Sequence, residues 1–211
     1  MFEDALLLGP TERSIVVQTR QGRGIKNSIA IEPGEPERRI YDALRKPFGD
    51  RWEERKPACG VYNCAGHVWA ARRTAVYENS EWQSILSDDG YRKLDAGETS
   101  LVGDVVLCRD PQVGFLHVGM IVEMREVAPG SLKVPWVLSK WSDSSGEVLH
   151  HFRHTPPWAQ QGLTVELEFW TDRPQPPHCP VGSSPGSASY FVPGNGFHTV
   201  AFNLPPPPPE S

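Results

Sequence analysis

Apolar residues in the first half of the chain recur at helical spacing, whereas those in the second half alternate or fall in short runs, so helices are expected first and strands after. Glu35 to Lys46 predicts a helix. Pro36 sits early, where its missing N–H costs nothing, Ile40, Tyr41 and Leu44 form an apolar side, and Pro47 ends it. Cys64 to Val76 predicts a second helix of small, mostly buried character, with Ala65, Val68, Trp69, Ala70, Ala71 and Ala75. A short third helix is expected from Glu81 to Ser87, with Trp82, Ile85 and Leu86 facing inward and Asp88-Asp89-Gly90 stopping it. Upstream, Ser14 to Gln18 is an isolated strand candidate, and residues 48–60 read as a charged, proline-containing loop.

From Gly103 the pattern becomes that of a sheet. Val105 to Cys108, His117 to Glu123, Trp136 to Trp141 and Val148 to Phe152 are strand-like runs separated by turn signals at Asp110-Pro111, Ala128-Pro129-Gly130 and Ser144-Ser145-Gly146. Leu163 to Phe169 alternates as an antiparallel strand with one wet face does. Helices followed by a run of strands is the α+β pattern. The organisation expected is an extension at 1–58 with one strand and one helix, a core at 59–171, a Pro/Gly/Ser-rich loop and final strand (Gly196 to Asn203) at 172–203, and a proline-rich tail at 204–211.

Composition narrows the function classes. The 211 residues suffice for one domain, and 21 prolines with 19 glycines imply long loops around a modest core. Lys and Arg number 21 against 26 Asp and Glu, a net charge of −5 that argues against nucleic acid and against a polybasic membrane surface as partner. No apolar run approaches the ~20 residues of a membrane helix. The N-terminal MFEDALLLGP is acidic and too short in its apolar stretch for a secretory signal, so the chain as written reads as cytoplasmic, or as exported by a route without a visible signal peptide. Cys59, Cys64, Cys108 and Cys179 are sparse enough to suit free thiols better than disulfides, and their spacing makes a poor zinc pattern; no metal or cofactor is expected. The five-proline tail is the segment expected to engage a protein partner.

Two residues carry the chemistry. Cys64 stands where a loop turns into a helix, where unpaired N–H groups and the dipole favour thiolate over thiol. Gly66 lets another backbone or a substrate approach closely. His117 opens an apolar strand and shares a face with Gly119 and Ile121; Gly119, lacking a side chain, is expected to let the Cys64 helix come close. Each residue alone reads more simply, as a buried structural cysteine and as a histidine bonded to a backbone carbonyl. Together they offer a nucleophile on a helix and a base on a strand.

Three segments in order, Tyr62-Asn63-Cys64-Ala65-Gly66, Gly103-Asp104-Val105-Val106 and His117-Val118-Gly119-Met120, resemble those of the NlpC-type papain-like cysteine peptidases and amidases, over about residues 60 to 152. The resemblance implies a papain-like fold with N-terminal helices packed on an antiparallel sheet, Cys64 as nucleophile and His117 as general base. The chain departs from the family in having Asn63 where Asp is usual, in lacking the Tyr and Gly-Gly segment before the cysteine, and in a longer spacing after His117.

The family's third member lies on the next strand, where Ser139 aligns best and Lys140 and Asp143 are the neighbouring alternatives. A hydroxyl accepts from an imidazole N–H, whereas the Lys140 ammonium is donor-only and is expected instead to hold a substrate carboxylate. Tyr62, Asn63 and Trp141 are the other expected substrate contacts; Trp136, Trp158 and Trp170 are read as core or groove walls. Asp104 is expected to cap a turn, and His150, His151 and His154 to pack against solvent or loops. The function this implies is hydrolysis of a peptide or related amide bond through an acyl-enzyme. The alternatives are acyl transfer or deamidation, as in toxins and effectors, and a catalytically inactive binding module of the same fold.

Overall fold

In the computed structural model of the chain, residues 14–29, 32–46, 48, 52–142, 145–154 and 163–175 are described. Ten elements follow in order: α1 (Glu35–Arg45), β1 (Trp52–Lys56), α2 (Cys64–Trp69), α3 (Asn79–Asp88), β2 (Arg92–Lys93), β3 (Val105–Asp110), β4 (Gly114–Glu126), β5 (Lys133–Lys140), β6 (Glu147–His151) and β7 (Glu166–Thr171). The strands form one seven-stranded sheet in the order β1-β6-β5-β4-β3-β7-β2, and every pair is antiparallel. The α+β class expected from the pattern is therefore observed.

Strand alternation divides the core between two faces. Val105, Leu107 and Val118 point to one face and pack with Ala65 of α2 and with Trp82, Ile85 and Leu86 of α3. Val106, Ile121 and Val137 point to the other, with Phe152, Leu167 and Phe169 beside them. A third cluster joins Tyr41 of α1 to Trp52, Trp141 and Val148, with the Trp52 and Trp141 rings edge-on at 4.2 Å. β3 and β6 are buried on both faces, whereas β4 and β5 carry both buried and half-buried positions.

Several expectations are corrected. Residues 14–18 form no strand; they turn back through a single bridge between Gln18 and Gly24. The loop expected at 48–60 contains the edge strand β1, paired to β6. The boundary drawn at residue 58 therefore cuts through the sheet, and Ile25 of the expected extension lies in the main core. The helix expected to reach Val76 stops at Trp69, because Ala71 and Arg72 take left-handed backbone angles (φ +49° and +64°). The chain then folds back across α2, and a Cβ at Gly66 would lie 1.7 Å from the Thr74 carbonyl oxygen. The close approach expected at Gly66 is thus made by this segment. The last expected strand, the proline tail, Cys179, Trp158 and Asp143 lie outside the described residues.

Candidate active site

Cys64 is the first residue of α2, and Asn63 builds that helix end. The Asn63 Oδ1 accepts from the Gly66 N–H at 2.9 Å and from the Val76 N–H at 3.1 Å, while Nδ2 donates to the Val76 carbonyl at 2.8 Å. An aspartate there would cap the helix but lacks the Nδ2 donor, so the amide is suited to tying α2 to the returning segment. Asn63 and Cys64 line an open cavity of about 210 Å³, together with Tyr77, Trp82, Phe115, Leu116, Trp141 and Ser142. The Trp82 and Phe115 rings stack with centroids 6.0 Å apart. Trp141 lines this cavity and is buried against the Trp52 cluster.

His117 sits on β4, one residue from the cavity wall at Leu116, and is 3 % exposed. Its cross-strand partner is Cys108, but the next pairing joins Arg109 to Phe115, so Leu116 is an extra residue and β4 bulges there. His117 and Gly119 share the face of Val106 and Ser139, whereas α2 packs over the opposite face with Val118. The expectation that Gly119 makes room for α2 is therefore wrong. A Cβ on Gly119 would meet Val137 Cγ1 at 2.3 Å and Ser139 Cβ at 3.0 Å, so this glycine serves close packing against β5. α2 and the bulged end of β4 meet at the cavity, which Cys64 and Leu116 both line, and the Cys64 charge acts on Cys108, the residue paired with His117. Burial first, then the Cys64 charge, pushes the Cys108 thiol up to about 12.

Burial also sets the state of His117. It drives the imidazole down to about 3, with the neighbouring His150 and His67 acting in the same direction, so the ring is neutral near pH 7 unless an anion stands beside it. A neutral buried imidazole is a proton acceptor whose protonation needs a compensating negative charge beside it.

Ser139 is fully buried directly across from Gly119, and its Oγ lies 2.6 Å from His150 Nε2. His150 is the residue that the sequence misplaced: it is 3 % exposed and inside the sheet, not at solvent. Its Nδ1 lies 3.0 Å from the His151 carbonyl and must donate to it, which leaves Nε2 to accept from the Ser139 hydroxyl and, at 3.3 Å, from the Trp141 indole N–H.

Two other expected contacts are structural. Lys140 is fully buried and its Nζ donates to the Ser142 and Ser145 carbonyls, 2.8 Å each, over the Tyr62 ring, so it holds the β5–β6 turn and reaches no substrate carboxylate. The Tyr62 hydroxyl is likewise buried and donates at 2.5 Å to Glu147. Glu147 also accepts from Arg72 and lies 3.8 Å from His67 Nε2, a buried cluster beneath α2 that the sequence did not announce. Asp104 caps its turn by accepting from the Leu101 N–H and is paired with Arg173. Trp136 carries the Arg125 guanidinium over its ring, and Trp170 packs against the main core.

No disulfide joins Cys59, Cys64 and Cys108, and no group of three or more potential metal ligands is gathered among the described residues. No described helix is long and apolar enough to cross a membrane. No protein-family model matches the chain, and neither the curated proteins nor the solved structures contain a match to it.

Proposed function

We propose that the protein is a papain-like cysteine-nucleophile hydrolase that cleaves a peptide or related amide bond. The observation that carries this reading is the placement of Cys64: it opens a helix, lines an open cavity, and lies beside the bulged end of the strand that bears His117. α2 is only six residues long, so its dipole is a small source of activation and most of the work falls to the imidazole.

In this reading the Cys64 thiol passes its proton to His117 as sulfur bonds to the substrate's carbonyl carbon. His117 returns that proton to the leaving nitrogen as the C–N bond breaks. Water then adds to the thioester, giving the acid and regenerating the thiol. The acyl side of the substrate rests against Tyr77, Trp82 and Phe115, an apolar wall suited to an uncharged group. The three ordered motifs support the same reading, with Asn63 assigned to the helix cap and Tyr62 and Lys140 removed from the substrate contacts.

Alkylation separates an activated thiol from an inert one. With an iodoacetamide-type probe at pH 6, wild-type protein is expected to label at Cys64 at least tenfold faster than an ordinary cysteine, as a pKa one or more units below about 8.5 implies. Mass spectrometry should show no label at this site in Cys64→Ala, and His117→Ala should slow it by about tenfold. Equal rates in wild type and His117→Ala defeat the reading.

A further inference from the structure

The lining of the cavity beside Cys64 constrains the acyl group that fits it. We propose that the cavity selects substrates whose acyl side carries a large apolar side chain, an aromatic ring in first place, and that Phe115 is the residue that sets the selection. The inference rests on the cysteine-hydrolase reading and adds a substrate class to it.

The polar atoms around the cavity are engaged by the protein itself. The Trp82 indole N–H donates to the Val76 carbonyl at 2.9 Å, and the Trp141 indole N–H to His150 Nε2 at 3.3 Å. The Asn63 side chain serves the Gly66 N–H and both backbone groups of Val76. Among the described residues, no Asp, Glu, Lys, Arg or His lines the cavity. Arg109, whose guanidinium stands 5.8 Å from the Phe115 ring centroid, lies 3.9 Å from Glu168 and is not part of the lining. A charged acyl side chain entering here would lose water without meeting an opposite charge, whereas a hydrocarbon one gains by leaving water.

Shape points to a ring. Successive residues of a regular strand face opposite ways, yet Phe115 and Leu116 both line the cavity. The extra residue of the β4 bulge makes this possible, so the strand delivers two adjacent apolar side chains immediately before His117. The Phe115 ring lies 18° from parallel to that of Trp82, and Trp82 is braced edge-on by Trp69 with centroids 5.5 Å apart. A third ring placed against this pair gains more than the area it buries accounts for. The volume of about 210 Å³ suits one ring, since an apolar cavity of about 150 Å³ holds benzene. Trp82 is buried and Phe115 half-buried, so Phe115 is the ring more open to an incoming group.

The test is the rate at which acetyl-phenylalanyl, acetyl-alanyl, acetyl-lysyl and acetyl-glutamyl chloromethyl ketones alkylate Cys64 in the full chain, the sulfur bonding to the methylene carbon as chloride leaves. In wild type the phenylalanyl ketone is expected to react about tenfold faster than the alanyl one, the low end of what burying a phenyl side chain supplies. The lysyl and glutamyl ketones should be no faster than the alanyl one. Phe115→Ala should cut the phenylalanyl-to-alanyl ratio about fivefold. Phe115→Glu should favour the lysyl over the glutamyl ketone by about fivefold, a change of preference that a loosened fold does not imitate. Equal rates for the four ketones in wild type overturn the inference, as does a phenylalanyl preference that both Phe115 variants keep. If neither variant folds, Phe115→Leu, which keeps an apolar side chain but not the ring, decides on the same ratio: a fall of about threefold is expected and an unchanged ratio overturns. Each ratio is taken on one thiol, so a sluggish Cys64 slows all four ketones together and leaves the preference readable. Failure of the hydrolase reading shows instead as an iodoacetamide rate that His117→Ala does not change.

Discussion

Lowering the pH from 7 to 4.5 is expected to remove about 5 kcal/mol of stability, enough to unfold a typical domain of this size. His67 and His150 carry this loss: both are buried and neutral, and neither belongs to the proposed Cys64–His117 pair. Burial is the main cause in each case, driving His67 down to about 4 and His150 to about 3. In the unfolded chain each titrates near the ordinary value of about 6.5. Below that pH the unfolded state binds protons that the folded state refuses, so stability is complete above pH 6.5 and falls as the pH drops toward 4. At pH 4.5 the gap amounts to about 2 to 3 kcal/mol for each ring, at 1.36 kcal/mol per pH unit. Urea denaturation at pH 7, 5.5 and 4.5 measures the loss directly, and equal midpoints across the series contradict it.

Replacing Glu147 by leucine is expected to cost about 4 kcal/mol, because it breaks a buried charge cluster by removing one partner. The carboxylate is 1 % exposed and accepts from the Tyr62 hydroxyl and from Arg72 Nε and Nη2. Burial alone would raise its pKa, but the Arg72 and Tyr62 hydrogen bonds outweigh this and hold it below the usual carboxylate value. In Glu147→Leu the Tyr62 hydroxyl loses its acceptor and the buried Lys140, directly across the β5–β6 pair, faces an apolar side chain. Glu147→Gln keeps an acceptor of similar size and should cost clearly less. Thermal or chemical unfolding of the two variants side by side is the check, and equal losses would mean that the charge contributes nothing.

The strands from Val105 to Thr171 were legible because β-branched runs and turn residues mark a sheet whatever surrounds it. β1 was not legible, because an edge strand tolerates charge: of Trp52-Glu53-Glu54-Arg55-Lys56 only the tryptophan is buried. The end of α2 was missed because Ala70 to Ala75 has helix propensity, while the Ala75–Ser28 bridge and the reach of Arg72 to Glu147 pull the chain away. Cys64 and His117 stood out through motif and chain order. What surrounds them did not, because register decides it. A single extra residue at Leu116 resets which side chains face the helix, and no local pattern marks it. Lys140 was expected at the substrate and Glu147 carried no signal, though their positions either side of a short turn make them cross-strand partners. The adjacent His150 and His151 do point to opposite faces; what alternation does not tell is that His150's face is covered by Trp52 and Trp141.

The central claim is that the Cys64 thiol loses its proton to His117, and the most direct measurement is the pKa of that thiol. Thiolate absorbance near 240 nm, titrated as the difference between wild type and Cys64→Ala, isolates it from Cys59, Cys108 and Cys179. The account predicts a midpoint at or below about 7 that returns toward the ordinary value of about 8.5 in a His117→Ala background. A midpoint at or above 8.5 in the wild-type protein, or one that His117→Ala does not move, would contradict it.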